Sequence, residues 1–339
     1  MLVKPNYVSF VDHHRLALKL NPVMVGELYL SKILKHPAYV YRDGVFIQVI
    51  SEGTLPTKSQ IIALIDNSFK EVYLYSEDYD QIKSSLQAAL IKVTRSLSIG
   101  DPVDNGQKNI KLLCLHQDTL YKDPHNDEVL TLQFQSSLNL GKFLINNKKD
   151  HSQFYQNLVQ DNFHYLVSQP MLCSILLLSY LQSTKLFQDK EIEKLFLTSY
   201  FKDIGLSLIP TAQYDVINLG KYEIELFSRH TDFSFDLLDG RVPLSKNYLQ
   251  MIKDHHFLND RLKEIAKSHK GEQLPPMTYG LETVLIGVFD LMVAMTTDRP
   301  YRKGVSVYKS LEVVKRLMID DYPQEFKALV YFLKQFYKN

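Results

Sequence analysis

The chain has 339 residues, enough for two domains that each bury a hydrophobic core without disulfides. Its 39 basic and 38 acidic residues leave a net charge of +1, so no overall field attracts nucleic acid or an anionic membrane. A hydrophobic fraction of 45% and a charged fraction of 23% are ordinary for a soluble globular protein. We therefore expect no nucleic-acid partner.

Cysteine usage and apolar runs predict where the protein resides. Cys114 and Cys173 both lie in apolar segments, which favours buried free thiols in a reducing compartment. The first ten residues lack a basic region followed by a long apolar run, so no signal peptide is predicted. The longest apolar runs, 171–181 and 284–295, are shorter than the ~20 residues of a membrane helix. A cytoplasmic protein without membrane insertion is expected.

Residues 1–145 mix strand and helix patterns, which predicts a small α/β domain and an α+β fold class for this part. Two β-rich arms flank Arg42-Asp43-Gly44, a hairpin turn pattern. The other predicted elements are a strand at 71–75, helices at 59–69 and 79–97, an apolar strand or helix start at 111–115, a turn-rich loop at 100–108 and a polar connector at 146–150. No motif here indicates chemistry, and its position alone favours a regulatory or partner-binding role.

From about residue 150 one helical pattern follows another, which predicts an all-α bundle over 150–339. Asp189 and Ser245 are candidate capping residues. The predicted helices cover 154–167, 171–184, 190–201, 222–238, 246–256, 258–268, 281–297, 306–318 and 323–337. Chemistry in such a bundle is expected among facing helices.

One carboxylate of this bundle lies in a segment that is otherwise apolar. Asp290 is the only charge between Glu282 and Asp298, in a helix that is apolar on every face and therefore buried. An unpaired carboxylate there costs several kcal/mol or gives up its charge. A metal ion, a basic partner or a polar cavity would each compensate it, and the histidines upstream favour a metal.

Four further residues are candidate ligands at predicted bundle positions: Asp203, His230, His255 and His256. Imidazole with carboxylate and no thiolate suits Fe, Mn, Co, Ni or Zn. Each residue also has a plainer interpretation, as a hydrogen-bonded histidine or a turn-capping aspartate. Together with Asp290 they would provide two carboxylates and three imidazoles, enough to share two ions.

Four segments, in order, resemble motifs of the HD-GYP family, the metal-dependent phosphodiesterases of bacterial cyclic di-GMP signalling within the HD superfamily. YFKDIGLSLIP at 200–210 resembles HDIGK-x-x-IP, and HTDFSFDLL at 230–238 resembles HP-x-x-G-x-x-x-L. MIKDHH at 251–256 matches the run into the HHE motif, and FDLMVAMTTDRPYRKG at 289–304 resembles ADxFDALTSxRPYRK, the most specific match. The resemblance covers roughly 150–318 and implies an HD-domain-like bundle.

The resemblance also implies a binuclear metal centre, with iron favoured and Mn, Zn, Ni or Co as alternatives. Asp203 would bridge two divalent ions, Asp290 would hold one of them, and the other would be held by His230, His255 and His256. The implied reaction is hydrolysis of cyclic di-GMP or a related nucleotide by a water that both ions activate.

A basic segment would bind the substrate phosphate in this scheme. Arg299 is assigned to catalysis and phosphate binding, and Arg302 and Lys303 to phosphate binding, because guanidinium and ammonium groups bind phosphate well. A basic turn that ends the helix near its C-terminal carbonyls is the plainer interpretation of RPYR.

The chain departs from the family at several positions. Lys202 stands where the family has the HD histidine, and Leu206 where the motif has lysine. Gln169 or Pro170 falls where an earlier histidine is expected, with His164 one or two turns upstream. The glutamate after HH and the GYP motif are both missing, although Gly271 and Pro275-Pro276 preserve a loop.

These losses fall unevenly on the two metal positions. The position of Asp203 and the three histidines keeps every ligand, which favours one ion, while a second ion would need water, Gln169 or His164. Lys202, beside the carboxylates, is either a catalytic residue or a replacement for the charge of an absent ion. Three interpretations remain open: a divergent phosphodiesterase, a catalytically degenerate module that contains metal and binds cyclic di-GMP or a signalling protein, or a structural role without metal.

Overall fold

The structure is a computed structural model that describes residues 17–161, 163–210, 213–214, 216, 218, 220–267, 276–299 and 302–338. The chain divides into two compact units between Lys92 and Val93, whereas the sequence predicts a boundary at 145–150. The predicted connector lies inside the second unit, where residues Lys148–Asp150 form a 3₁₀-helix. The first ten residues, on which the signal-peptide prediction rests, lie outside the described residues.

A four-stranded antiparallel sheet forms the first unit, in the order β1-β4-β2-β3. Its strands are β1 Leu20–Met24, β2 Ala38–Arg42, β3 Val45–Ile50 and β4 Glu71–Tyr75, with the 3₁₀-helix Val25–Leu30 after β1 and the helices α1 Lys58–Asp66 and α2 Ser76–Arg95. The predicted hairpin is confirmed. Asp43 and Gly44 adopt φ angles of 52° and 82°, the left-handed pair that a two-residue hairpin turn requires.

One face of the sheet packs against helices. Val40, Val72 and Leu74 share a buried cluster with Ile61 and Ile82, which lie on α1 and α2. The alternating burial of β4 explains this arrangement, because successive side chains of a strand point to opposite faces.

Helices make up the second unit. They are α3 Pro102–Lys122, α4 Asp127–Asn146, α5 His151–Gln160, α6 Tyr165–Thr184, α7 Asp189–Phe201, α8 Lys221–Ser228, α9 His230–Leu238, α10 Lys246–Asp254, α11 Phe257–Lys267, α12 Leu281–Thr296, α13 Val307–Met318 and α14 Pro323–Phe336. The predicted α+β first part and helical second part are confirmed in outline.

Three local predictions are wrong, and one of them is the helix at 154–167, because α5 ends at Gln160 and α6 begins at Tyr165. The segment 100–108 is not a loop, because α3 begins at Pro102 and Asp101 accepts a hydrogen bond from the Asp104 amide at 2.8 Å. Asp and Pro favour turns, but they equally favour the cap and first position of a helix. The single helix predicted at 222–238 is broken at Arg229, where α8 ends and α9 begins.

Helix α6 is the centre of the second unit and packs against α7 and α12. It has 20 residues and is long and apolar enough to cross a membrane, yet 78% of its most apolar 18-residue window is buried inside the structure. It was the only such helix in the described parts of the chain. It therefore packs as a core helix of this unit.

The first unit contains a buried ion pair. Lys83 of α2 donates to both carboxylate oxygens of Glu27, at 2.8 and 3.0 Å, and its ammonium lies 5.3 Å from the Tyr79 ring centre. Removing one member of such a pair strands the other charge in the core. The pair therefore holds α2 against the segment after β1.

We predict that Lys83→Met lowers the free energy of unfolding of the first unit by about 3–5 kcal/mol, because Glu27 would be left buried without a counter-charge. Chemical denaturation followed by circular dichroism and hydrogen exchange measures it. The control is Lys35→Met, which removes the exposed pair with Glu77 and should leave stability nearly unchanged. Equal losses in the two variants would contradict the prediction.

Candidate metal centre

Four side chains of the second unit converge into a group that can hold a metal ion: Asp203, His230, His255 and His256. One potential ligand atom from each lies within 4.8 Å of those of the others. The first three are buried, and the His256 side chain is 36% exposed. These are the four residues of the predicted metal position that keeps every expected ligand.

Helix ends place these four residues. Asp203 follows the last turn of α7 and begins the 3₁₀-helix Ile204–Leu208. His230 is the first residue of α9, so the break at Arg229 is what sets its position. His255 and His256 occupy the turn between α10 and α11.

Backbone carbonyls fix the tautomers of two of the rings. Nδ1 of His230 lies 2.5 Å from the Phe227 carbonyl oxygen, and Nδ1 of His255 lies 2.6 Å from that of Ile252. A carbonyl oxygen only accepts hydrogen bonds, so Nδ1 donates in each case and Nε2 of the neutral ring carries a lone pair. This arrangement of a ring held through Nδ1 is common for metal-ligating histidines.

The two Nε2 atoms approach one carboxylate oxygen. Asp203 Oδ1 lies 3.4 Å from Nε2 of His230 and 3.2 Å from Nε2 of His255. Nε2 of His255 is buried and has no hydrogen-bond partner. Neutral rings and an ionised carboxylate would present only lone pairs to one another here, so a cation between them satisfies all three atoms. The donor set therefore fits a divalent metal.

His256 completes the group from the solvent side. Its Nε2 lies 3.2 Å from Nε2 of His230, and its Nδ1 lies 3.2 Å from the amide nitrogen of Asn259. The Asn259 amide is exposed and can turn its oxygen to Nδ1, in which case Nδ1 donates and Nε2 presents a lone pair to the other ligand atoms. Burial and the neighbouring His255 ring lower the pKa of His256 to about 3. The ring is therefore neutral near pH 7, the form that ligates metals.

The counter-charge of Asp290 is Lys202, which is fully buried. Its ammonium contacts Oδ2 of Asp203 and lies 2.8 Å from Oδ1 of Asp290. Burial by itself lowers the pKa of Lys202, but the two carboxylates outweigh it and raise that pKa above its usual value. Although burial opposes ionisation of the carboxyls, the ammonium lowers the pKa of Asp290 to about 2 and that of Asp203 well below its usual value. Of the three compensations open for Asp290, the structure provides a basic partner.

Two residues of α6 also contact Asp290. Gln169 donates to Asp290 Oδ1 at 2.8 Å, and the Cys173 thiol lies 3.8 Å from the same oxygen. Burial raises the pKa of Cys173 well above its usual value, so it remains a thiol. The sequence indicated Gln169 only through a missing histidine and did not indicate Cys173 as a site residue. The four-residue spacing of these two residues places them on one helix face, which was the available signal.

Of the three predicted phosphate-binding residues, Arg299 lies beside the site. Its guanidinium donates to the Gln169 side-chain oxygen and stacks over the Tyr165 ring at 4.0 Å. Gln169 thus connects Arg299 to Asp290.

The other two predicted residues end a helix instead. Arg302 donates to the carbonyls of Ala294 and Met295 at the end of α12, and Lys303 pairs with Asp298 at 2.7 Å on the surface. These contacts match the plainer interpretation of a helix-ending basic turn. Residues 271, 275, 300 and 301 of the quoted motifs lie outside the described residues.

Two glycines allow the close approach of the elements that carry the ligands. A Cβ on Gly205 would lie 2.1 Å from the His230 carbonyl oxygen and 2.5 Å from the Ser234 amide nitrogen. Gly205 also donates its own amide to the Ser234 hydroxyl at 2.8 Å. A Cβ on Gly287 would lie 2.9 Å from the His255 carbonyl oxygen. Both glycines set how near Asp203 and Asp290 come to the histidines.

No protein-family model matches this chain, and no curated protein sequence matches it. One solved structure with a similar fold is that of Bd1817, described as an HDG"Y"P protein from Bdellovibrio bacteriovorus. The two chains superpose with a TM-score of 0.60 over 93% of this chain and 99% of Bd1817, at 16% sequence identity. The fold is therefore HD-GYP-like.

We predict that Gly205→Ala weakens both the fold and the metal group. The added methyl group would overlap the backbone of α9, which cannot move without displacing His230, and such overpacking costs about 1–3 kcal/mol. Thermal unfolding and metal content of the purified variant measure the effect. Gly280→Ala is the matched control, since its Cβ meets only a flexible Glu282 side chain at 3.1 Å. If both variants unfold and bind metal alike, Gly205 has no special role.

The metal-free protein should lose stability as the pH falls from about 6.5 towards 3. His256 has its pKa lowered in the folded protein, so the unfolded chain binds more protons in this window and stability rises with pH. Solvent screening at the partly exposed ring reduces the effect. The measurement is denaturation of chelator-treated protein across this range. His256→Gln should flatten the dependence, and an unchanged profile would contradict the assignment.

Proposed function

We propose that this protein is a diverged HD-GYP-type domain that holds one divalent metal ion and acts as a cyclic-dinucleotide-binding signalling module. Support comes first from the convergence of the Nε2 atoms of His230 and His255 on one oxygen of Asp203, an arrangement that a bound cation would satisfy. The HD-GYP-like fold provides further support, because residues from three of the segments that resemble the family's motifs meet in one group of this chain.

The ligand set favours a borderline transition metal. Imidazole and carboxylate donors suit Fe, Mn, Co, Ni or Zn, and we place iron first. When bound, a six-coordinate ion would offer the positions left by four side chains to water or a phosphate oxygen, whereas a four-coordinate zinc would leave none. The identity of the metal therefore bears directly on what the site can do.

Binding is better supported than hydrolysis. A two-ion hydrolase uses both ions to activate water and to stabilise the leaving oxygen. Here the carboxylate that would hold the second ion, Asp290, already pairs with Lys202. The position after His256 is Phe257 in place of the family glutamate. Lys202 thus neutralises the carboxylate that a second ion would need, and Phe257 cannot replace the missing glutamate.

Arg299 and Tyr165 support a nucleotide ligand. A guanidinium forms paired hydrogen bonds to phosphate, and Arg299 is held over the Tyr165 ring beside the centre. An aromatic ring next to a phosphate-binding cation also suits a nucleobase. We propose cyclic di-GMP or a related cyclic dinucleotide as the ligand.

Hydrolysis is the second candidate, and the exposure of His256 favours it. At 36% exposed, its side chain forms the solvent side of the ligand group, so water can reach an ion held there. In that case Asp203 and the histidines would hold the ion, Lys202 would stabilise phosphoryl charge from behind Asp203, and Arg299 would orient the phosphate.

A regulatory or partner-binding role is proposed for the first unit. Large side chains on its surface support this role, since Tyr29, Ile33 and Tyr41 are each more than half exposed. Such residues are enriched where proteins bind one another.

The double variant His255→Ala/His256→Ala should abolish metal binding and lower the melting temperature, because an ion that binds only the folded state stabilises it. Elemental analysis of protein prepared without chelator gives the metal content. Calorimetry with cyclic di-GMP, followed by chromatography of the mixture, separates binding from turnover. Binding without turnover would support the signalling module, and turnover would support the phosphodiesterase. If the protein neither binds nor hydrolyses cyclic di-GMP, both proposals are contradicted.

The matched control is His125→Ala, which removes an exposed histidine of the same unit. It should retain the wild-type metal content, melting temperature and ligand affinity. Equal metal loss in the control and the double variant would contradict the ligand assignment.

A further inference from the structure

The carboxylate of Asp203 divides its two oxygens between different kinds of partner. Oδ1 faces the Nε2 atoms of His230 and His255, whereas Oδ2 faces the ammonium of Lys202. A bridging carboxylate of a two-ion centre divides its oxygens in the same way, with one ion on each. Here only the side that faces the two Nε2 atoms, which we call the nitrogen-lined side, offers lone pairs to an ion.

Hydrogen-bond donors fill the other side. Oδ1 of Asp290 receives the Lys202 ammonium at 2.8 Å, the Gln169 amide at 2.8 Å and the Cys173 thiol at 3.8 Å. An ammonium and an amide NH₂ present protons, which repel a metal ion. Gln169 cannot simply rotate its oxygen towards this position, because that oxygen accepts a hydrogen bond from Arg299.

The burial of Lys202 stabilises its contacts with the two carboxylates. Its side chain is 0% exposed, and its two neighbouring carboxylates are less than 10% exposed. Withdrawing the ammonium would leave two like charges buried together, which is strongly unfavourable. A divalent ion could displace it only if the ammonium found another anionic partner.

We propose that the Lys202 ammonium is the resident cation of the second metal position, so that the centre holds a single ion and Asp290 serves as counter-ion to Lys202. This inference rests on the proposed metal-binding function. A second divalent ion does not fit the residues present. Lys202 is therefore a positioning residue, which fixes Asp203 Oδ2 and turns Oδ1 towards the histidines.

Metal stoichiometry tests the inference directly. Wild-type protein, loaded with Mn²⁺ or Fe²⁺ and freed of excess metal, should contain one ion per chain by elemental analysis. Asp290→Asn should also contain one, because the isosteric amide leaves the nitrogen-lined position intact. Lys202→His should contain two, because the ammonium is removed and an imidazole can join both carboxylates as a ligand.

Lys83→Met is the matched control, since it removes another buried lysine paired with a carboxylate, in the first unit. It should keep one ion per chain. Circular dichroism checks that each variant is folded, and Asp290→Asn decides the question if Lys202→His does not fold.

The possible outcomes distinguish failure of the single-ion inference from failure of the proposed metal-binding function. Wild-type protein that binds no ion would overturn both. Two ions in the wild type, loss of the ion in Asp290→Asn, or a single ion in folded Lys202→His would overturn the inference and leave the metal-binding function standing.

Discussion

The structure of the second unit depends on how the negative charge of Asp203 is neutralised in a buried place. The Nε2 atoms of His230 and His255 face one of its oxygens, and the ammonium of Lys202 contacts the other. A buried carboxylate with only one of these partners would be costly, since breaking a buried ion pair is worth about 3–5 kcal/mol. On the side of the two histidines, the proposed metal ion would supply the remaining positive charge.

The surrounding helices hold the groups around Asp203 and Asp290 in position. Gly205 brings the 3₁₀-helix onto α9, and Gly287 brings α12 against the turn that carries two histidines. Helix α6 supplies Gln169 and Cys173 to Asp290 from the opposite side. Because every ligand lies at a helix end or on a buried helix face, modest shifts in packing would separate the group. Binding of the proposed ion would consequently be coupled to the folding of this unit.

Much of this could be predicted from the sequence, for identifiable reasons. The helices and the β2–β3 hairpin follow from apolar periodicity and turn residues, which are local. The apolar neighbours of Asp290 correctly indicated that it is buried. Its partner could not be predicted firmly, because contact with Lys202 depends on how α7 and α12 pack. The break at Arg229 interrupts a segment whose apolar periodicity continues through it, so the sequence did not indicate it. The contacts of Arg302 and Lys303 are local, and the plainer interpretation of RPYR already described them.

The most direct test of the account is anomalous scattering from crystals grown without added metal or chelator. We expect one peak per chain, at ligand distances of about 2.0–2.2 Å from Asp203 and the histidine nitrogens, with Lys202 in place beside Asp290. A molecule with no peak there, or with a peak between Asp203 and Asp290 and the ammonium displaced, would contradict it.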